Sequence, residues 1–183
     1  GSGKTFSSLR LARGLAGPDA KIAAIDTEAG RMLHYADRFD FDHADLRAPF
    51  TPDAYLGAIT TAVSLNYRVI VIDSWSHVWA GEGGVTDQHA EALHNMVERA
   101  KKRNPGADEY ALHDTLNGPA WRCKIPYKVM VQRLLQCRSH IVFCLRAEPK
   151  VRFIKDPKTN KTSIVDAGWQ PICEKLFPYE MTV

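Results

Sequence analysis

The sequence predicts an α/β fold: a mostly parallel central sheet flanked by helices, with a basic β-hairpin added. Three observations carry this. Two apolar runs, Ile22–Ile25 and Val69–Ile72, each stop abruptly at an acidic residue, Asp26 and Asp73. Unbroken apolar runs of that length read as strands buried on both faces, the habit of parallel strands. A helix pattern lies between them, and strand–helix alternation of this sort defines an α/β domain. Finally, the glycine-rich opening Gly1-Ser2-Gly3-Lys4-Thr5 runs straight into another helical pattern.

Taken in order, Phe6, Leu9, Ala12 and Leu15/Ala16 recur at helical spacing, and Gly14, Gly17 and Pro18 supply a stop. Lys21–Glu28 holds the first strand and its acidic end. Thr51-Pro52-Asp53 places a capping hydroxyl before an N1 proline. From Ala54 through Leu65 the apolar positions then give that helix one face. Arg68–Ser74 is the next strand, and Trp75 to Trp79 leads into Gly81-Glu82-Gly83-Gly84, which reads as a flexible loop. A helix follows from Thr86 or Asp87 to Arg103, broken by Asn104-Pro105-Gly106. A further helix over Ile125 to Arg138 directs Val129, Leu134 and Leu135 inward and Lys128, Arg133 and Arg138 outward. Ile141–Leu145 is a strand ending at Arg146, and Val151–Val165 forms a hairpin around a Pro/Asn turn.

Composition narrows the classes. The 183 residues suit a single domain, and four cysteines without C-x-x-C spacing read as reduced, buried thiols in a cytoplasmic protein. No apolar run approaches the ~20 residues of a membrane helix, and no signal peptide opens the chain, so secreted, fibrous and membrane classes are set aside. The net charge of +3 is uneven: residues 1–98 carry 8 basic and 13 acidic side chains, and residues 99–161 carry 15 basic and 5 acidic. A block of +10 is either a polyanion-binding face or a solvated surface. The histidines show no metal spacing, His89 and His94 being five apart.

Gly3-Lys4-Thr5 matches the end of the phosphate-loop pattern G-x-x-x-x-G-K-[ST]. Gly1, Ser2, Gly3, Lys4, Thr5 and Phe6 would form the nucleotide-binding set, Lys4 reaching the β and γ phosphates and Thr5 ligating Mg²⁺. The helix N-terminus would add its partial positive charge. The pattern's first glycine and the strand feeding it would lie before Gly1, and Met181-Thr182-Val183 reads as a strand cut short. Residues 1–183 are therefore expected to be one domain, as a fragment open at both ends. Asp73 closes a strand downstream and can hold the same Mg²⁺. For positioning and deprotonating water, Glu28 is the favoured carboxylate; Asp26 and Glu82 are its rivals, Asp26 with a competing role in the turn.

Together, Gly1–Thr5 (GSGKT), Ile22–Gly30 (IAAIDTEAG) and Val69–Ser76 (VIVIDSWS) resemble the RecA-like P-loop ATPases. Among these the chain looks most like phage-type AAA-domain ATPases linked to single-strand annealing and recombination, and GWQPICEKLF and KDPKTNKT add to the likeness. The resemblance implies ATP and Mg²⁺ as ligands, Glu28 as catalytic carboxylate, and a phage or prophage protein acting in the bacterial cytoplasm. It also implies subunit association into a homo-oligomer, and single-stranded DNA bound by segments after the Asp73 and Arg146 strands. Arg146 stands where the family commonly has a glutamine γ-phosphate sensor; it either stabilises transition-state charge or pairs with Glu148. Arg152, Lys155, Lys158 and Lys161 are the nucleic-acid candidates, with solvated surface as the alternative and packing as the role of Phe153. An ATP-ordered DNA-binding module without hydrolysis and a small-molecule P-loop kinase remain the other readings.

Overall fold

The computed structural model describes residues 3–155, 160 and 162–181. It is a mixed α/β structure in which a four-stranded parallel sheet is flanked by helices. Helix α1 spans Lys4–Ala16, strand β1 Ile22–Asp26 and, after a 3₁₀ turn at Arg31–Tyr35, strand β2 Asp42–Asp45. Helix α2 (Pro52–Ser64) crosses to β3 (Val69–Asp73). The chain then builds α3 (Ser76–Ala80), α4 (Val85–Arg103), α5 (Glu109–Ala120) and α6 (Ile125–Leu135) before β4 (His140–Cys144). An antiparallel ribbon of β5 (Ala147–Lys155) and β6 (Thr162–Pro171) and a short helix α7 (Phe177–Glu180) follow. The sheet order is β2-β1-β3-β4. Among the described residues no helix is long and apolar enough to cross a membrane.

Local chemistry explains the first elements. Gly3 adopts φ 74°, the left-handed region that glycine enters without a Cβ penalty, and hands the chain to α1. Thr51 caps α2, its hydroxyl accepting from the Ala54 N–H at 3.2 Å, with Pro52 in the first turn as the sequence predicts. Strands β1 and β3 are buried at all ten positions, so both faces must be covered. Their period-2 alternation sorts the core into two layers. Ile22, Ala24, Val69 and Val71 meet Leu9, Ala12 and Ala16 of α1, with Met32. Ala23, Ile25, Ile70 and Ile72 meet Tyr55 and Ile59 of α2, Met130 and Leu134 of α6, and Trp75.

Several expectations need correction. Strand β2 carries only Asp-His-Ala-Asp and α5 buries only Ala120, and neither is foreseen by the sequence reading. Helix α6 ends at Leu135 rather than Arg138, and its core face is Tyr127, Met130, Val131 and Leu134. Val129 and Leu135, expected inward, are 40% and 52% exposed. Leu65, expected on the apolar face of α2, also lies in solvent. The Gly81–Gly84 stretch is a close-packed turn instead of an open loop. A Cβ at Gly83 would lie 2.6 Å from Pro49 Cβ, and the Glu82 carbonyl accepts from the Phe50 N–H at 2.7 Å. The tip of the predicted hairpin, with Lys158 and Lys161, and the terminal Thr182 and Val183 lie outside the described residues.

Candidate functional site

Parallel register sets Asp45, Asp26, Asp73 and Cys144 in one row across the carboxyl end of the sheet. That edge of an open α/β sheet is where ligands bind in this class of fold. The start of α1 meets the row at its centre. The Thr5 hydroxyl donates to Asp73 Oδ2 at 2.5 Å across 68 residues of sequence, and both side chains are buried. Ser8 Oγ fastens the same turn by donating to the Thr5 carbonyl at 2.8 Å. Lys4, the first residue of α1, is half-buried beside them. Gly1 and Ser2 lie outside the described residues. The Phe6 ring packs edge-on against Tyr35 and Phe39, at 5.9 and 5.3 Å, which leaves its backbone as its contribution to a site.

The two carboxylates weighed against each other, Asp26 at the end of β1 and Glu28 two residues beyond it, have separate environments. Asp26 is fully buried and works as a turn brace. Its Oδ1 accepts from the Glu28 N–H at 2.6 Å, its Oδ2 from the Met32 N–H at 2.8 Å, and His43 Nε2 lies 3.3 Å from Oδ2. Those bonds aim the backbone so that Glu28 turns back over the sheet edge. Glu28 Oε1 accepts from Arg146 Nε and Nη2 at 2.9 and 2.7 Å, and Arg31 Nη1 lies 3.1 Å from Oε2. The Glu28 side chain is only 6% exposed. Arg146 thus pairs with Glu28, whereas Glu148 takes Lys150. Glu82 is exposed on the glycine turn.

Thr27 and His77 form a supporting layer that the sequence reading did not single out. Thr27 Oγ1 accepts from the Ser74 N–H at 2.7 Å and lies 2.8 Å from His77 Nδ1, whose donor or acceptor role follows its tautomer. The Ser74 carbonyl accepts from the Tyr55 hydroxyl at 2.8 Å, which ties α2 to the end of β3, where the Asp73–Ser74 peptide is cis. Burial first, and then the Arg146 charge, push the His77 pKa below the ordinary 6.5, with Glu28 and Asp73 opposing. The folded protein therefore binds this proton at lower pH than the unfolded chain. Its stability contribution is intact above pH 6.5 and falls as the pH drops from there towards the folded pKa. Urea midpoints measured from about pH 7.5 to 5.5 should decline less steeply for His77→Gln than for the parent chain; equal slopes would remove His77 from the acid response.

Cys144 completes the row as an inert thiol. Burial first and the Asp73 charge second push its pKa up to about 11, so it is no nucleophile at neutral pH. A cleft of about 440 Å³ opens beside Thr27, lined among others by Gly30, Leu33, His43, Arg47 and Phe50. Among the described residues no group of three or more His, Cys, Asp and Glu could hold a metal ion. The side-by-side Thr5 hydroxyl and Asp73 carboxylate are oxygen donors of the kind Mg²⁺ prefers.

Arg152 and Lys155 lie on the separate β5–β6 ribbon. Arg152 pairs across the ribbon with Val165, and Lys155 with Thr162, so their odd separation sets them on opposite faces. Phe153, expected to pack, is 70% exposed and lies opposite Ile164 in register. Trp169 on β6, 72% exposed, adds an aromatic that the sequence reading passed over. No family model matches the chain, and no curated protein or solved structure matches it.

Proposed function

We propose that the chain is a RecA-like P-loop domain that binds Mg·ATP and hydrolyses it in association with single-stranded DNA, in phage recombination or replication. One observation carries the reading: Thr5 at the start of α1 touches Asp73 at the end of β3, with the buried Glu28 carboxylate two residues past the end of the neighbouring strand β1. The chemistry needs that combination, an oxygen pair for the metal and a separate carboxylate for water. Mg²⁺, held by Thr5 and Asp73, would neutralise charge on the β and γ phosphate oxygens. The Gly3–Lys4 backbone and the N-terminus of α1 wrap the phosphates, and the Lys4 ammonium balances their charge. Glu28 orients the attacking water and takes its proton. Asp26 contributes by bracing the turn, and Thr27 by locking the ends of β1 and β3 together.

Single-stranded DNA would wrap the β5–β6 ribbon, meeting Lys155 and the exposed Phe153 on one face and Arg152 on the other, with Trp169 as a further stacking platform and Lys158 and Lys161 as the remaining basic candidates. The test is phosphate release from ATP with and without single-stranded DNA, with stimulation expected. Charge reversal at Lys155, Lys158 and Lys161 should weaken DNA binding and flatten the slope of log K against log salt by about 2. An unchanged slope would remove the ribbon as the contact. A second reading, a small-molecule kinase, draws support from the cleft beside Thr27, which has room for an acceptor. Phosphate transfer to an alcohol acceptor, without stimulation by single strands, would favour it.

A further inference from the structure

Glu28 Oε1 cannot take a water while Arg146 occupies both of its lone pairs, and the way it is held points to how it is freed. Arg146 places Nε and Nη2 on one oxygen, Oε1, while Arg31 approaches the other, Oε2. The Arg146 backbone is clamped on both sides. Its N–H donates to Ser76 Oγ at 2.8 Å and its carbonyl accepts from the Ile172 N–H at 2.8 Å. Its side chain, by contrast, is 46% exposed at the mouth of the site. Position is therefore fixed for the backbone and open for the charged head. Cys144, two residues earlier, lies beside Asp73 in register, so Arg146 leaves β4 next to the carboxylate that meets Thr5.

We propose that Arg146 is a positioning residue that exchanges partners: it holds Glu28 when no nucleotide is bound and moves to the terminal phosphate of a bound nucleoside triphosphate, releasing Glu28 to water. The inference rests on the nucleotide reading above and adds a coupling between ligand and base. A planar guanidinium fork suits a phosphate at least as well as a carboxylate. Arg31 makes the exchange affordable for the protein, because it stays on Oε2 and no buried carboxylate is left without a partner. A diphosphate, lacking the terminal group, leaves Arg146 on Glu28.

Equilibrium binding of ADP and of a non-hydrolysable ATP analogue to the full chain tests the exchange, with Glu28→Gln, Arg146→Ala and Arg146→Lys as variants. Glu28→Gln removes the charge that competes for Arg146, so the analogue should bind about fivefold tighter than to the parent, with ADP unchanged. Arg146→Ala should lose the preference for the analogue over ADP, and Arg146→Lys should restore part of it. Equal affinities in Glu28→Gln and parent, or Arg146→Ala weakening both nucleotides alike, overturn the exchange while leaving the nucleotide site standing. A parent chain that binds neither nucleotide overturns the nucleotide reading and the exchange with it.

Discussion

Glu28→Gln is expected to lower ATP turnover by about 10²- to 10⁴-fold, the usual contribution of a positioned general base, while ATP binding persists. Glutamine has nearly the volume of glutamate and its amide oxygen can still accept from Arg146, so the buried pocket around position 28 stays filled. It cannot take a proton from water. Lys4, Thr5 and Asp73 are untouched, which is why binding and turnover should separate in this variant. Phosphate release measured at saturating ATP, with and without single-stranded DNA, gives the answer. If parent protein turns over ATP and Glu28→Gln matches its rate, Glu28 is not the base. Asp26 is a poor substitute in that event, since both its oxygens already accept backbone N–H groups.

The largest loss of stability is expected from Trp75→Ala, about 3–5 kcal/mol. Trp75 is fully buried and is the hub of the aromatic core. Phe143 meets it edge-on at 4.8 Å, Phe177 stacks at 5.0 Å and Tyr55 meets it edge-on at 5.4 Å. Truncation would open a cavity among side chains from α2, β4 and α7 that cannot collapse together. Against a typical domain stability of about 5–15 kcal/mol, such a loss leaves little margin. The denaturant midpoint should fall with an unchanged m-value, and a loss below about 1 kcal/mol would show that the core closes over the gap. Trp75 Nε1 has no hydrogen-bond partner among the described residues, so Trp75→Phe removes an unsatisfied donor and should cost less than Trp75→Ala. Because Trp75 directly follows Asp73-Ser74, the Ala variant should also disturb the carboxylate that meets Thr5.

Strands β1, β3 and β4 and helices α1 and α2 were legible because their signals are local: apolar runs of strand length, a capping threonine before proline, glycines at a helix end. Strand β2 was not, since nothing in Asp42-His43-Ala44-Asp45 favours a strand except the neighbour that β1 provides. Helix α5 escaped for a related reason, being packed mainly on α4, with Pro119 in its last turn. In the site, Thr5 and Asp73 could be named from spacing because each belongs to a short motif. The Glu28–Arg146 pair joins residues 118 apart, and no short pattern marks that meeting. His77, on α3, was hidden likewise, as its partner Thr27 lies 50 residues away, just past the end of β1. Charge counting found the basic ribbon but not its geometry, which splits Arg152 and Lys155 between two faces.

The order β2-β1-β3-β4 leaves two rims of the sheet that differ in kind. The β2 rim carries Asp42 and Asp45, and charge on an edge strand repels an incoming chain. The β4 rim presents Ile141, Val142 and Phe143, half-buried, with no charged side chain from Ile141 to Cys144. Among the described residues no strand pairs with its outer side. The sheet is therefore polarised for growth: a further strand is accepted at β4 and discouraged at β2. Until that side is covered, β4 is the adhesive margin of the molecule, and concentration-dependent self-association should begin there.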